Sequence, residues 1–313
     1  MTKPQFSLAL GARILVLLCL TIIPVSLIAQ MTSRSVDVGG GSIPCIIEGS
    51  GQSCIVVGIA KYYQRAIPPE IKKHLRFIFM DTRILAPDFA SDTSRYPITA
   101  AVEDIEKVRT ALGIDSAFVF GHSVWGLVAL EYARKYPKRS IGVIVVGSPA
   151  RYGADFAKIT DPFWQQDASS ERKAVHQQRL DKFRPQVSKL KGSDALIARY
   201  IMNAAQYWYD PHFDSAPFWK DVHLNMSLLG SFFKSFGNYD VRHGTPIQRP
   251  ILLALGRYDY SVPYTVWETV IRDWFSNLTY SLFDKSGHTP FYEERERFEN
   301  ELVTWLNKIG GGS

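Results

Sequence analysis

The feature that most constrains the fold of this chain is an alternation of short apolar runs with helical patterns between residues 53 and 147. The apolar runs are rich in β-branched and aromatic residues, which is typical of strands buried on both faces. Strands that alternate with helices form right-handed strand–helix–strand units and build a parallel sheet. We therefore predict strands at Ser53–Gly58, Arg76–Met80, Ala117–Gly121 and Ile141–Gly147.

Further strands are predicted on both sides of this region. Val36–Val38 and Ile43–Glu48 are joined through three glycines, which indicates an antiparallel hairpin at the sheet edge. Strand patterns resume at Pro250–Gly256 and Leu278–Phe283, and an amphipathic helix closes the chain. The fold expected is an α/β fold with a mostly parallel eight-stranded sheet.

The strand pattern is interrupted between residues 150 and 246, where aromatic residues are frequent and no convincing strand is found. A helical cap inserted into an α/β sheet explains this order. We therefore predict a core made of residues 31–149 and 247–309, with residues 150–246 as the cap. Residues 310–313 (GGGS) are expected to form a flexible tail.

An uncharged apolar run of 16 residues, Ile14–Ala29, follows the basic residues Lys3 and Arg13. This pattern resembles a secretory signal, and its length also leaves a retained membrane anchor open. We predict that residues 1–30 are a signal peptide or an N-terminal anchor. The body would then be periplasmic, secreted, or attached to a membrane through residues 14–29 with its catalytic side outside the cytoplasm.

Charge and cysteine content exclude several classes of protein. The formal charge is +6, or +4 without Lys3 and Arg13, and basic residues are interspersed with acidic ones, so no nucleic-acid partner is expected. No Cys/His cluster has metal-ligand spacing and no Gly-rich phosphate loop follows a strand, so neither a metal nor a cofactor is expected. Outside the export segment, Cys45 and Cys54 could form a disulfide or remain buried thiols on neighbouring strands, and the sequence leaves both open.

Ser123 lies where a predicted strand turns into a helix, within the run AFVFGHSVWG of Ala117–Gly126. Such a tight turn lifts a hydroxyl above the sheet, and the next amide, that of Val124, points to the same place as an oxyanion donor. A serine that caps an ordinary helix would explain Ser123 alone. It would not explain the residues that follow downstream.

An acid and a histidine follow the last two predicted strands. Asp259 ends the run GRYD after one strand, and His288 lies in the run DKSGHTP after the next. The carboxyl ends of parallel strands are where open sheets form their sites. The chain order of serine, acid and histidine therefore predicts a catalytic triad.

With these motifs, residues 35–308 resemble the capped branch of the α/β-hydrolase superfamily, which includes esterases, lactonases, proline iminopeptidases and epoxide hydrolases. The resemblance implies that Ser123 is the nucleophile, His288 the base and Asp259 its orienting partner. A serine at this position argues against epoxide hydrolases, which attack with a carboxylate. The motifs that carry the resemblance are the GHS turn, Asp81-Thr82-Arg83, GRYD with Pro263, and GHTPFYEE from Gly287.

The chain departs from the family pattern at two places. Trp125 replaces the usual small residue two positions after the nucleophile, and it either packs under the cap or lines the pocket. Gly58-Ile59 replaces the usual His-Gly, which makes Ala60 the expected second oxyanion donor. The residues expected to line the substrate pocket are Ile59, Trp125, Trp164, Trp208 and Trp219.

The sequence thus predicts a serine hydrolase that cleaves a carboxylic ester or lactone of a small-molecule acyl substrate. One alternative is an aminopeptidase similar to proline iminopeptidase, which would need acidic cap residues, such as Asp161, Asp167 or Glu171, near the pocket. A second alternative is a non-catalytic ligand receptor on a hydrolase fold.

Overall fold

The computed structural model describes Met1 and residues 31–153, 155–268, 270 and 274–310. The predicted signal or anchor segment, residues 14–29, lies outside them, and of the predicted tail only Gly310 is described. Within the described ranges, no helix is both long and apolar enough to cross a bilayer.

Eight strands form one sheet with the order β1-β2-β4-β3-β5-β6-β9-β10. Strand β2 is antiparallel to both neighbours, and every other pair in this sheet is parallel. The mostly parallel eight-stranded α/β sheet expected from the sequence is confirmed. Its strands are β1 (Thr32–Asp37), β2 (Ser42–Glu48), β3 (Ser53–Gly58), β4 (Arg76–Asp81), β5 (Ala117–His122), β6 (Ser140–Val146), β9 (Ile251–Gly256) and β10 (Leu278–Phe283).

Burial explains which strands the sequence revealed. Every residue of β5 and β9 is buried, as expected for strands covered on both faces. Strand β1 is exposed except at Val36, and it begins at Thr32 because its backbone pairs with β2 from Thr32 opposite Ile47. Backbone pairing does not require apolar side chains, so the first four residues of β1 have no apolar pattern and were not predicted.

The helices of the described residues flank this sheet and cover its carboxyl edge. Helix α3 begins at Val124, because it follows directly from the turn at Ser123. The helices are α1 (Ala60–Ala66), α2 (Ile98–Ala111), α3 (Val124–Lys135), α4 (Ala157–Asp167), α5 (Ser170–Val187), α6 (Gly192–Met202), α7 (Ala204–Tyr207), α8 (Met226–Phe236), α9 (Thr265–Glu268), α10 (Pro290–Glu293) and α11 (Arg295–Gly310).

Helices α4 to α8 lie between β6 and β9 in the chain. The sequence predicted no strand in this segment, but the structure has β7 (Arg151–Tyr152) and β8 (Tyr239–Asp240), which pair antiparallel. Strands of two residues are too short to produce a periodic pattern. Their pairing brings the two ends of the segment together, and we call residues 151–240 the helical insertion.

The two cysteines of the described body are buried free thiols. Cys45 lies on β2 and Cys54 on β3, and β4 lies between these two strands, so they are not on neighbouring strands. Burial raises the pKa of Cys45 to about 12 and also raises the pKa of Cys54. The sequence left open a disulfide or two buried thiols, and the structure shows two buried thiols.

Candidate active site

Ser123 connects β5 directly to α3 in a backbone conformation that is unusual for a residue with a side chain. Its φ is 57° and its ψ is −137°, and its amide donates to the Val146 carbonyl at 2.9 Å. Non-glycine residues with positive φ are uncommon, and strain of this kind is concentrated at functional sites. The turn presents Ser123 to a cavity above the sheet.

Two glycines allow this turn to be tight. A Cβ on Gly121 would lie 2.3 Å from the Trp125 carbonyl oxygen, and a Cβ on Gly126 would lie 2.4 Å from Oγ of Ser148. Neither distance is compatible with a side chain. Gly126 therefore supplies the close contact between helix and sheet despite the bulk of Trp125 beside it.

The two departures from the family pattern, at Gly58 and Trp125, are parts of one packing arrangement. A Cβ on Gly58, where φ is 138°, would lie 2.7 Å from Cδ1 of Trp125. The indole of Trp125 stacks on Phe232 of α8 with 4.7 Å between ring centroids, and it also lines the cavity. Trp125 thus packs against the insertion and borders the site, and the missing side chain at Gly58 makes room for it.

His288 is held by a buried carboxylate. Its Nδ1 lies 2.6 Å from Oδ2 of Asp259, which is 1% exposed. The other oxygen of Asp259 accepts from the Ser261 hydroxyl at 2.7 Å and from the amides of Ser261 and Val262 at 3.0 and 2.8 Å. A carboxylate at Nδ1 favours the tautomer with hydrogen on Nδ1, which leaves the lone pair of Nε2 free to accept a proton.

The backbone of His288 is also fixed, by a residue that the sequence analysis missed. The neutral His122 ring donates from Nε2 to the His288 carbonyl at 2.8 Å, and its Nδ1 lies 3.3 Å from the Tyr63 hydroxyl. Burial, with the nearby charge of His288, holds the pKa of His122 well below its usual value. The position of His122 beside Ser123 in the GHS run was the available signal.

The expected oxyanion donors differ in their surroundings. Val124 is the first residue of α3, where backbone N–H groups have no acceptor within the helix. The Ala60 amide, in contrast, donates to Oδ1 of Asp81 at 2.8 Å, so the structure does not support Ala60 as the second donor. The preceding residue, Ile59, lines the cavity, and its amide has no acceptor among the described residues.

The cavity above Ser123 has a volume of about 260 Å³ and is shared by the β-sheet core and the helical insertion. Both Ser123 and His288 line it, although no hydrogen bond joins their side chains within the described chain. Catalytic hydrogen bonds are often long without substrate. Among the described residues, no Asp, Glu, Lys or Arg side chain lines the cavity. Its aromatic lining consists of Tyr62, Tyr63, Trp125, Tyr152, Phe156, Tyr200, Tyr207, Trp208, Trp219 and Phe233.

Four of the five residues expected in the pocket lie in this lining, namely Ile59, Trp125, Trp208 and Trp219. Trp164 does not. Its ring packs against Tyr260 and His176, with centroid distances of 5.0 and 5.3 Å, in a separate hydrophobic cluster. Trp164 therefore holds α4 and α5 to the loop of Asp259, and its assignment to the pocket was wrong.

A serine in a strained strand-to-helix turn, with an Asp–His pair after later strands of a mostly parallel sheet, defines the class of α/β hydrolases. The family model of the alpha/beta hydrolase fold matches residues 54–295, and the chain belongs to this family. Membership of the α/β-hydrolase superfamily, expected from the sequence, is thereby confirmed.

Individual relatives cover most of the chain. It is 29% identical to the AB hydrolase superfamily protein YclE of Bacillus subtilis over 84% of this chain and 94% of that protein. It is 23% identical to a proline iminopeptidase of Heyndrickxia coagulans over 90% and 96% of the two chains. Among solved structures, an alpha/beta fold family hydrolase from Bacillus anthracis str. Sterne matches 88% of this chain and 99% of its own with a TM-score of 0.66 at 20% identity.

Proposed function

We propose that this hydrolase cleaves carboxylic esters or lactones through a covalent acyl-enzyme, with Ser123 as nucleophile, His288 as base and Asp259 as its orienting partner. The observation that carries the proposal is the 2.6 Å contact between His288 and Asp259 beside the cavity that Ser123 lines. An imidazole held in this tautomer can accept the proton of a serine hydroxyl.

In the proposed acylation step, Oγ of Ser123 attacks the substrate carbonyl carbon while Nε2 of His288 takes the hydroxyl proton. The carbonyl oxygen becomes an oxyanion, which the amide of Val124 stabilises, with the amide of Ile59 as the proposed second donor. The oxyanion then re-forms the carbonyl, the carbon–oxygen bond to the leaving group breaks, and His288 gives its proton to the leaving oxygen, which becomes an alcohol that is released from an ester and stays attached to the acyl group of a lactone. Water, deprotonated by His288, attacks the acyl carbon, the bond between that carbon and Oγ of Ser123 breaks, and His288 returns the proton to Oγ, which releases the acid and restores Ser123.

The lining of the cavity favours an uncharged, apolar acyl group as the substrate. Aromatic rings provide large apolar area, whereas a buried ammonium or carboxylate without a partner is costly. The candidate carboxylates for binding a free amino group, Asp161, Asp167 and Glu171, are exposed and lie outside the lining. This favours an ester as substrate over a peptide with a free amino terminus. Aminopeptidase activity remains the second candidate function, because the chain is similar to a proline iminopeptidase.

A panel of aryl esters, lactones and prolyl amides, each measured with wild-type protein and with Ser123→Ala, tests the proposal. We expect turnover of esters or lactones that Ser123→Ala abolishes without unfolding the protein. Faster turnover of prolyl amides would favour the aminopeptidase. Saturable binding without turnover of any class would favour a receptor, and unchanged turnover in Ser123→Ala would contradict the role of Ser123.

We also propose that residues 1–30 direct export, with membrane association through residues 14–29 where they are retained. The support is the apolar run Ile14–Ala29 after Lys3 and Arg13. Sequencing the amino terminus of the mature protein tests this. A start near Gln30 indicates a cleaved signal, and intact Met1 in the membrane fraction indicates an anchor. Soluble full-length protein in the cytoplasm would contradict both.

A further inference from the structure

A buried carboxylate that the proposed mechanism does not use lies beside His288. Oε1 of Glu293, at the end of α10, accepts hydrogen bonds from the amides of Gly287 and Thr289, both at 3.0 Å. These two amides flank His288 on either side. One carboxylate oxygen therefore holds the backbone that carries the candidate base.

The second oxygen of Glu293 reaches the helical insertion. Oε2 accepts from the amide of Tyr209 at 2.6 Å, and the amide of His288 itself donates to the carbonyl of Tyr207 at 2.6 Å. Residues Tyr207 and Trp208 both line the cavity. The chain segment that borders the site is thus bound to the loop of His288 by two hydrogen bonds, one from the Tyr209 amide to the Glu293 side chain and one from the His288 amide to the Tyr207 carbonyl.

A buried cation of the insertion holds the same segment from its other side. The guanidinium of Arg172, on α5, donates to the carbonyls of Ala205 and Trp208 at 2.9 and 2.8 Å and also to the carbonyl of Tyr209. It lies 5.4 Å from the ring centroid of Tyr258, next to Asp259. Segment 204–209 therefore has one well-defined position, set jointly by the insertion and by the loops of the Asp–His pair.

We propose that Glu293 is a positioning residue. It couples the position of segment 204–209 to the orientation of the His288 side chain. This inference rests on the proposed function, because it assigns Glu293 a role in how His288 acts as base. When Glu293 is ionised, its two oxygens accept all three amide hydrogens. The insertion then closes over the cavity in the same arrangement that orients the base.

Protonation of Glu293 would weaken this arrangement, because a neutral carboxyl group has lost its negative charge and its hydroxyl oxygen is a poorer acceptor for an amide hydrogen than a carboxylate oxygen. Burial, with the charge of Asp259, raises the pKa of Glu293 to about 7 against the opposing effect of the three hydrogen bonds. Its ionised form is therefore lost as the pH falls below neutrality. The titratable and charged groups around it are Tyr62 on α1, Arg172 on α5, Asp259, His288 and the adjacent Glu294.

The variant Glu293→Gln has no negative charge at any pH, and its NH2 group cannot accept a hydrogen bond from an amide. Glu294→Gln is the matched control. Glu294 accepts from the amide of Lys285 and the hydroxyl of Ser286, both at 2.7 Å, and so holds the same loop without reaching the insertion. The two variants remove one neighbouring carboxylate each, and only one of these joins the loop to segment 204–209.

The experiment measures the kcat/KM of an aryl ester against pH, together with hydrogen–deuterium exchange of segment 204–209. We expect Glu293→Gln to lower kcat at pH 8 by about tenfold to a hundredfold, the effect of a misplacement of up to about 1 Å. In wild type and Glu294→Gln, log kcat/KM should rise more steeply with pH on the acid side than in Glu293→Gln, since only these two proteins retain the ionisable Glu293. In Glu293→Gln this acid rise should be shallower, and exchange of segment 204–209 should be faster.

Wild-type kcat in Glu293→Gln, or the same acid slope in all three proteins, would overturn the inference. If Glu293→Gln does not fold, Glu293→Asp replaces it. That variant keeps the charge on a shorter side chain, so it should lower kcat but retain the steeper acid rise of wild type, and loss of that steeper rise would count against the inference. Failure of the proposed function is distinguishable, because ester turnover would then be absent, or independent of Ser123, in wild-type protein.

Discussion

Replacing Gly58 by alanine tests whether Gly58 and Trp125 form one packing unit beside the candidate nucleophile. The new Cβ would lie 2.7 and 2.9 Å from Cδ1 and Nε1 of Trp125, and 2.8 Å from Cε2 of Tyr63. Overpacking of this kind costs about 1–3 kcal/mol. The φ of 138° at Gly58 adds about 1–2 kcal/mol for a residue with a Cβ. We therefore expect Gly58→Ala to destabilise the protein by about 2–5 kcal/mol, which is a fall in Tm of roughly 4–10 °C.

The double variant with Trp125→Ala separates the clash from the backbone strain. Trp125→Ala alone should cost about 3–5 kcal/mol, as large-to-small changes of buried tryptophans do. In the Gly58→Ala background it also removes two of the three close atoms, so its cost should be smaller by about 1–2 kcal/mol. Thermal unfolding followed by circular dichroism at 222 nm measures this coupling as a Tm difference of about 2–4 °C. Strict additivity of the two Tm shifts would refute the shared packing arrangement.

Three further predictions follow from the site and its surroundings. In a series of aryl esters, kcat/KM should rise about fourfold for each acyl methylene until the cavity is full, since each buried methylene contributes about 0.8 kcal/mol. Trp125→Ala should shift the optimum to longer chains, and an acetyl ester faster than every homologue would contradict this. The pKa of His122 is lower in the folded protein than in the unfolded chain, where it is about 6.5. The neutral ring therefore stabilises the fold at pH values above about 6.5, and this contribution is lost as the pH falls below that value. The drop in Tm between pH 7 and 5 should accordingly be smaller in His122→Gln than in wild type, and equal drops would count against this. The buried thiols of Cys45 and Cys54 should resist alkylation at pH 8 in the folded protein and react after unfolding, whereas a disulfide would leave both unreactive until reduced.

The predictable parts of the fold are the strands whose burial requires a recognisable run of apolar residues. Strands Ser53–Gly58 and Leu278–Phe283 begin and end where the pattern predicted. The first residues of β1 and the two-residue strands of the insertion were not predictable. They are held by backbone pairing, which leaves side chains free to be polar.

The same distinction applies to the candidate site. Ser123, Asp259 and His288 were identifiable because each follows a strand whose pattern is visible, and because their order along the chain matches the family. The bond between the Ala60 amide and Asp81, and the packing of Trp164 on Tyr260, join positions whose side chains give no sign of their partner. Contacts of this kind depend on how the insertion and the loops pack in three dimensions, which no local pattern encodes.

The most direct test of the proposed mechanism is to look for the acyl-enzyme itself. Wild-type protein is quenched in acid during turnover of a slowly deacylated aryl ester, and the intact mass and peptide masses are then measured. We predict a covalent adduct with the mass of the acyl group on the peptide that contains Ser123, and none in Ser123→Ala. Turnover of the ester with an adduct on another residue, or with full activity in Ser123→Ala, would contradict the role proposed for Ser123.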